Sequence, residues 1–463
     1  MFYSFSILLV FLSISIKLFA IHFTNFDLFG DEAQYWLWSE KLELGYYSKP
    51  PLLAWLLKLH TLLFGSSFES LKYFPLIFYF FTSCIVYFLS LELYNNKRLA
   101  LVSGISFYLL PSVSLSSFLI STDVVLIFFS SLVLLMILKI RKNPKLINFT
   151  ILGIFFGLSF LSKYAAIYYI FSLILLLILD KKTKQAFSTN KVNLFTFFFC
   201  FSIVLFPNIL WNIHNGWITL FHTSDNAGLN RMSPKILQGL EFVLSQAVML
   251  GPLLVMFFIF FIKRVKLNLQ TIFLLIFSAP VFFIVLIEGI LVRANANWAA
   301  IGIIPIFLIL ISHIFHISKK FIIINNLFNF TICFILFFSI AASIDNKVFD
   351  RISGTSNFAN ILKTNALKDV DYLVVEDRLL YSNLNYYLRD ENKTILTPHN
   401  PNNKIKSHFH ITRPLTTNHD QNFVFIGNPN SLKYLNKSYI IIKKEEIKVK
   451  FTSQPIKLYE VFF

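Results

Sequence analysis

Asp31 and Glu32 open the run GDEAQYWLW, Lys49 precedes the double proline of SKPPLL, Asp123 stands in FLISTDVVLIFF, and Lys163 interrupts the otherwise apolar or small stretch around GLSFLSKYAA. All lie beside long apolar runs. Ionisable groups at a bilayer edge are costly unless solvated or paired, so these positions call for a chemical use. Two carboxylates on neighbouring loops suit a reaction in which an attacking hydroxyl or amine must lose its proton. Pro50 and Pro51 restrict the backbone behind Lys49 and hold its ammonium on a stiff turn. Lys163 fits either a phosphate-binding cation or a snorkelling one.

Each acid also has a plain structural reading. Asp31, with Gln34 three positions on, has the spacing of a helix N-cap and its capping-box partner. Tyr35 and Trp38 then continue an aromatic face, as on a helix anchored along the interface. Asp123 is read equally as an N-cap. The segment WNIHNGWITLFH carries His214 and His222 toward one membrane face, followed by Arg231, without the spacing of a metal motif. RANANW groups Arg293, Asn297 and Trp298 as either a helix start or a headgroup contact.

The elements that must position these residues follow from apolarity. Of 463 residues, 56% are hydrophobic and 14% charged, which fits a polytopic membrane protein. Runs near 5–24, 72–91, 99–117, 122–139, 148–162, 164–179, 192–210, 241–261, 270–290, 298–316 and 321–343 give about eleven spans of a mainly α bundle. The pair parted at Lys163 is short enough to be two half-depth helices. An uncleaved first helix is expected, with Lys17 either snorkelling or turned inward.

The net charge of +17 resides largely in basic clusters at 97–98, 139–145, 181–184, 263–266 and 319–320. These occupy alternate loops, the pattern of a cytoplasmic face rather than of nucleic-acid binding. The N-terminus is then cytoplasmic, while the 25–71 loop, the Asp123 loop, Lys163 and the 211–240 and 291–297 loops lie outside. Cys84, Cys200 and Cys333 fall inside apolar runs and read as packing residues.

Residues 1–344 are expected to form the membrane domain, and 345–463 a small α/β domain on the outer face. DYLVVED, NFVFIGN, SYIIIKKE and KLYEVFF read as strands, with a helix near RLLYSNLNYYL. No Walker loop, dinucleotide fingerprint, Ser-His-Asp pattern or HExxH is present.

On these residues the chain resembles the integral-membrane glycosyltransferases of the GT-C fold, in the bacterial ArnT-like and protein-mannosyltransferase-like group. DEAQYWLW with LGYYSKPPLLAWL resembles the family's first outer loop, and FGSSFESLKYFP its continuation, with Lys72 where arginine is common. STDVVLIFF, GLSFLSKYAA, PNILWNIHNGW and ANANW resemble later motifs in order. The resemblance implies inverting transfer of a sugar from a polyprenyl-phosphate donor to an envelope acceptor at the outer face of the bacterial inner membrane. The acceptor would be lipid A, lipopolysaccharide core or another glycolipid.

By the same resemblance, Asp31 matches the acid that acts as base or orients the acceptor, Asp123 matches the second acid, and Glu32 supports them. Lys49 and Lys163 match cations near the lipid-linked phosphate, with Arg293 a further candidate. Tyr35, His214, His222, Asn297 and Trp298 are candidate acceptor or loop contacts. Ser48 departs from the family, where an acid that can help hold a divalent metal is common, so no metal ligand set is assigned. A protein O-glycosyltransferase of the same fold is the second enzyme reading. A lipid-linked sugar flippase would instead use mid-membrane polar groups and an inverted repeat.

Overall fold

The computed structural model describes residues 2–228, 233–264, 267–368 and 370–463. Arg231 and Lys266 lie outside the described residues. Two compact units are present: one comprises 1–22, 49–53 and 71–339, the other 23–48, 54–70 and 340–463. The unit containing the tail therefore also contains most of the first loop.

The first unit is helical. Among the described residues, seven helices of the chain are long and apolar enough to cross a bilayer: Tyr3–Phe23, Phe68–Tyr94, Thr122–Lys142, Lys191–His214, Leu269–Leu291, Ala296–Ile317 and Lys319–Ala341. Two sharply bent pairs bring the number to nine at most. Apolarity alone counted about eleven because it does not register bends. The 99–117 run divides into Lys97–Tyr108 and Pro111–Ser116. Pro111 lacks an N–H and has a preset φ, so it starts a helix and cannot continue one.

The pair Tyr164–Leu179 and Lys181–Ser188 bends by 104° at Asp180, whose carboxylate caps the second helix at Thr183 N and holds Arg141 at 2.7 Å. Ile236–Met249 and Pro252–Phe260 bend by 100° at Gly251. Gly251 has φ +93, and a Cβ there would meet the Asn329 amide at 3.1 Å, so glycine suits both the turn and the space.

The Leu146–Ser162 helix packs on Lys191–His214 through Gly153 and Gly157, one turn apart on one face. A Cβ on Gly153 would lie 2.5 Å from the Phe197 carbonyl, and one on Gly157 2.6 Å from Val204 Cβ. Small residues permit this backbone approach where the apolar solvent supplies no force between helices. Lys17 faces inward: it is fully buried, with its ammonium 4.4 Å from the Tyr108 ring centroid.

The second unit is built on a sheet of β1 (Tyr372–Val375), β2 (Thr394–Pro398), β3 (Pro414–Leu415), β4 (Phe423–Ile426), β5 (Ile440–Ile447) and β6 (Ile456–Phe462). Their order is β3-β2-β1-β4-β6-β5, parallel from β3 to β4 and antiparallel beyond. The Arg378–Tyr387 helix connects β1 to β2, as a parallel pair requires. Asp377 caps it by accepting from Leu379 N and Leu380 N.

The Gly30–Glu40 helix belongs to this unit and lies against Arg378–Tyr387. Its Gly30 leaves 2.7 Å between a hypothetical Cβ and Leu379 Cβ, and Trp36 meets Tyr386 edge to face at 4.9 Å. Asp27 fastens the entry to this helix by accepting from Thr355 N at 2.6 Å.

Candidate functional site

In the helical unit, the sequence-selected residues Asp123, Lys163 and Asn297 meet. Lys163 Nζ donates to Asp123 Oδ1 at 2.7 Å, and Asn297 Nδ2 donates to Oδ2 at 2.7 Å. Asp123 is buried at the second position of Thr122–Lys142, where Ser121 holds the cap position. The N-cap reading of Asp123 is therefore corrected by two positions. Its carboxylate still benefits from the positive end of that helix, but both its oxygens face other elements.

Lys163 is the extended residue at which Leu146–Ser162 stops, with φ −163 and ψ 135. This break aims its side chain away from its own helix. Asn297 rides on the short Ala296–Gly302 helix, which Gln246 anchors by donating to Ala296 O at 2.8 Å. Trp298 packs partly buried against the core, while Arg293 is exposed just before.

Beyond Lys163, Tyr164 donates to Asn208 Oδ1 at 2.8 Å and accepts from Asn212 Nδ2 at 3.3 Å. These three residues, with Phe160, Ile167 and Leu205, line a mainly apolar groove of 340 Å³. Sequence reading missed Tyr164, Asn208 and Asn212. The signal was the pair of asparagines at i and i+4 on an apolar helix, which places both on one face. His214 is exposed at the end of Lys191–His214, and His222 contacts Asn226 on its own helix at 2.9 Å. Lys49 is half-buried immediately before Pro50.

In the second unit, Asp31 is the second residue of Gly30–Glu40 rather than its cap. Phe29 occupies the cap position, and Glu32 Oε2 accepts from Phe29 N at 2.9 Å. Glu32, not Gln34, thus fills the capping-box position, and its buried carboxylate has a structural task. Asp31 and Gln34 instead share Arg378, whose Nη1 lies 3.3 Å from Asp31 Oδ1 and 2.5 Å from Gln34 Oε1. Tyr35 and Trp38 are buried and meet edge to face at 5.5 Å, so the aromatic face is core and not an interfacial anchor. Among the described residues, no three His, Cys, Asp or Glu side chains converge in the manner of a metal site.

This architecture and these residues define a class, a polytopic integral membrane protein of the GT-C fold. Residues 48–211 match the family described as dolichyl-phosphate-mannose-protein mannosyltransferase. A lipid A galacturonosyltransferase, RgtD of Rhizobium johnstonii, is 30% identical over 284 residues, covering 60% of this chain and 59% of that protein. The chain thus spans less than two thirds of that relative's length.

The crystal structure of ArnT from Cupriavidus metallidurans bound to undecaprenyl phosphate superposes with a TM-score of 0.68 at 12% identity, covering 99% of this chain and 98% of that one. The Archaeoglobus fulgidus oligosaccharyltransferase with zinc and sulfate gives 0.51 at 14% identity, covering 95% and 67%. The sequence match to that family over residues 48–211 and the fold shared with ArnT make the chain similar to the ArnT-like, protein-mannosyltransferase-like group.

Proposed function

We propose that this protein transfers a sugar, with inversion, from a polyprenyl-phosphate carrier to lipid A or a related envelope glycolipid. The reaction would take place at the periplasmic face of the bacterial inner membrane. One observation carries the reading: a lysine ammonium is held by Asp123 at a helix break, and the next residue, Tyr164, lines a mainly apolar groove. A cation and a lipid-compatible surface in one element suit a lipid-linked phosphate. RgtD, named as a lipid A galacturonosyltransferase, supports the choice of acceptor. The basic clusters in alternate loops support the sidedness.

The chemistry needs little else. The acceptor oxygen attacks the anomeric carbon, the bond from that carbon to the phosphate oxygen breaks, and the electron pair leaves with the phosphate. Phosphate is already a fair leaving group, so cations near it replace a general acid. We assign Lys163, Lys49 and Arg293 to the departing phosphate, and Asp123 to orienting Lys163. Asp31 takes or orients the acceptor proton, with Glu32 holding its helix start.

The protein-mannosyltransferase description of the matched family favours a protein acceptor as the second reading. Mass spectrometry of lipid A, core oligosaccharide and carrier lipids from cells with and without the chain separates the two. Loss of one sugar from an envelope glycolipid, with its carrier accumulating, is the expected result. Unchanged glycolipids with an altered glycoprotein would replace the acceptor assignment.

A further inference from the structure

The parallel part of the sheet places β2 and β3 on one side of β1 and β4 on the other. The chain thus reverses its direction of growth between β1 and β4. In open α/β sheets, that switch point leaves a crevice at the carboxyl ends of the strands where ligands bind. A cleft of 500 Å³ occupies those ends here, walled by Glu376 and Asp377 after β1, His399 and Asn400 after β2, and Asn430 and Lys433 after β4. None of these residues has a role in the transfer chemistry.

The charge of the cleft is lopsided. Its two acids are turned onto backbone amides: Glu376 accepts from Asn428 N at 2.6 Å, and Asp377 caps the following helix. Four permanent cations line it, Arg378, Lys404, Lys406 and Lys433. Arg378 is engaged by Asp31 and Gln34. The exposed amines of Lys406 and Lys433 have no carboxylate partner among the described residues.

The remaining wall is polar and flat. His399 and His410 stack with ring centroids 4.4 Å apart, and Lys406 N donates to His410 Nδ1 at 3.3 Å. That bond leaves Nε2 of His410 as the protonated donor. Burial, with His399 and Lys406 nearby, holds His410 down to about 4, so it offers this donor at neutral pH without charge. Asn400, Asn403 and Asn430 add side-chain amides, which serve hydroxyls as donor and acceptor.

We propose that this cleft binds a phosphorylated saccharide, with Lys406 and Lys433 on the phosphate and the asparagines and stacked histidines on the sugar. The volume exceeds a phosphate alone and falls in the range of about 300–1,000 Å³ usual for small-molecule sites. Two ammonium groups without a carboxylate partner among the described residues match a doubly charged monoester. The inference concerns binding and does not rest on the transferase reading.

The test uses the full chain in detergent, with glucose 6-phosphate, glucose and inorganic phosphate as probes in calorimetric titrations. Wild type should bind glucose 6-phosphate more tightly than inorganic phosphate and leave glucose nearly unbound. A Lys406→Gln, Lys433→Gln double variant, with an unchanged melting temperature, should lose at least about tenfold in affinity for the sugar phosphate. Equal affinity in wild type and variant would overturn the proposal, as would no binding by wild type at millimolar probe. Equal binding of inorganic phosphate and glucose 6-phosphate would overturn the saccharide assignment. An Asn400→Ala variant weakening only the sugar phosphate would support it.

Discussion

Asp123 and Lys163 form a 2.7 Å ion pair in which Asn297 takes the second carboxylate oxygen, joining three elements 40 and 174 residues apart in sequence. The pair is mostly shielded, with side-chain exposures of 10% for Asp123 and 16% for Lys163. An ammonium so placed keeps one face for Asp123 and can offer its remaining protons to an incoming anion. Lys163→Ala should raise the donor KM well above wild type and leave the acceptor KM nearly unchanged. Equal shifts in both constants would remove Lys163 from the donor phosphate. Because Asp123 orients Lys163, the effects of Asp123→Asn and Lys163→Ala should be non-additive, with a coupling of about 0.5–3 kcal/mol in kcat/KM.

Asp31 differs, since Arg378 holds it at 3.3 Å while about a third of its side chain stays exposed. That leaves a carboxylate oriented but accessible, as a proton acceptor needs. Asp31→Asn retains volume and the Arg378 contact through its amide oxygen, yet removes the charge. Transfer should fall by about 10²–10⁴-fold, the usual contribution of a general base, with normal membrane insertion and melting temperature. Near-wild-type transfer by a well-expressed variant would sink the role of Asp31.

Much of this was legible in local pattern. The four strands read from β-branched runs correspond to β1, β4, β5 and β6, and the helix at RLLYSNLNYYL is present. β2 and β3 were missed because TILTP and the two-residue Pro414–Leu415 are too short for alternation to register. Acids and lysines beside apolar runs stood out as types, but their partners did not. Asp31 meets Arg378 across 347 residues, a contact that only the fold creates. The two-position error at both acids has a common source: an acid in the first helical turn is favoured by the helix dipole whether or not it caps. Lys17 had two readings, and only its surroundings, the Tyr108 and Phe337 rings, decide for the interior.

Gly153 and Gly157 carry the packing of the helix that ends at Lys163, so they connect stability with the candidate site. Gly153→Ala would drive a Cβ to 2.5 Å from a backbone carbonyl, which a rotamer change cannot relieve. The helices must separate, at a cost of about 1–3 kcal/mol typical of overpacking. A lower melting temperature is expected, together with a raised donor KM. Ile154→Ala, one residue on but 36% exposed, is the control and should alter neither. An unchanged melting temperature for Gly153→Ala would contradict the close approach.

His408 gives the second unit a pH dependence whose sign can be worked out. The ring is buried against Trp38 and Tyr46, its Nδ1 has no hydrogen-bond partner among the described residues, and Nε2 lies 3.7 Å from Glu43. Burial, followed by the charge of Lys41, pushes it from the ordinary 6.5 down to about 3, outweighing the nearby carboxylate. The unfolded chain therefore binds a proton near pH 6.5 that the folded protein accepts only near 3. The stability tied to neutral His408 is whole above pH 6.5, declines by up to about 1.4 kcal/mol per pH unit below it, and is exhausted near pH 3. His408→Phe keeps a flat ring and removes the titration, so its melting temperature should match wild type at pH 7.5. Between pH 6.5 and 5 the wild-type melting temperature should fall more steeply than that of the variant. Parallel pH profiles would show that His408 titrates alike in the folded and unfolded protein, and would remove burial as the cause.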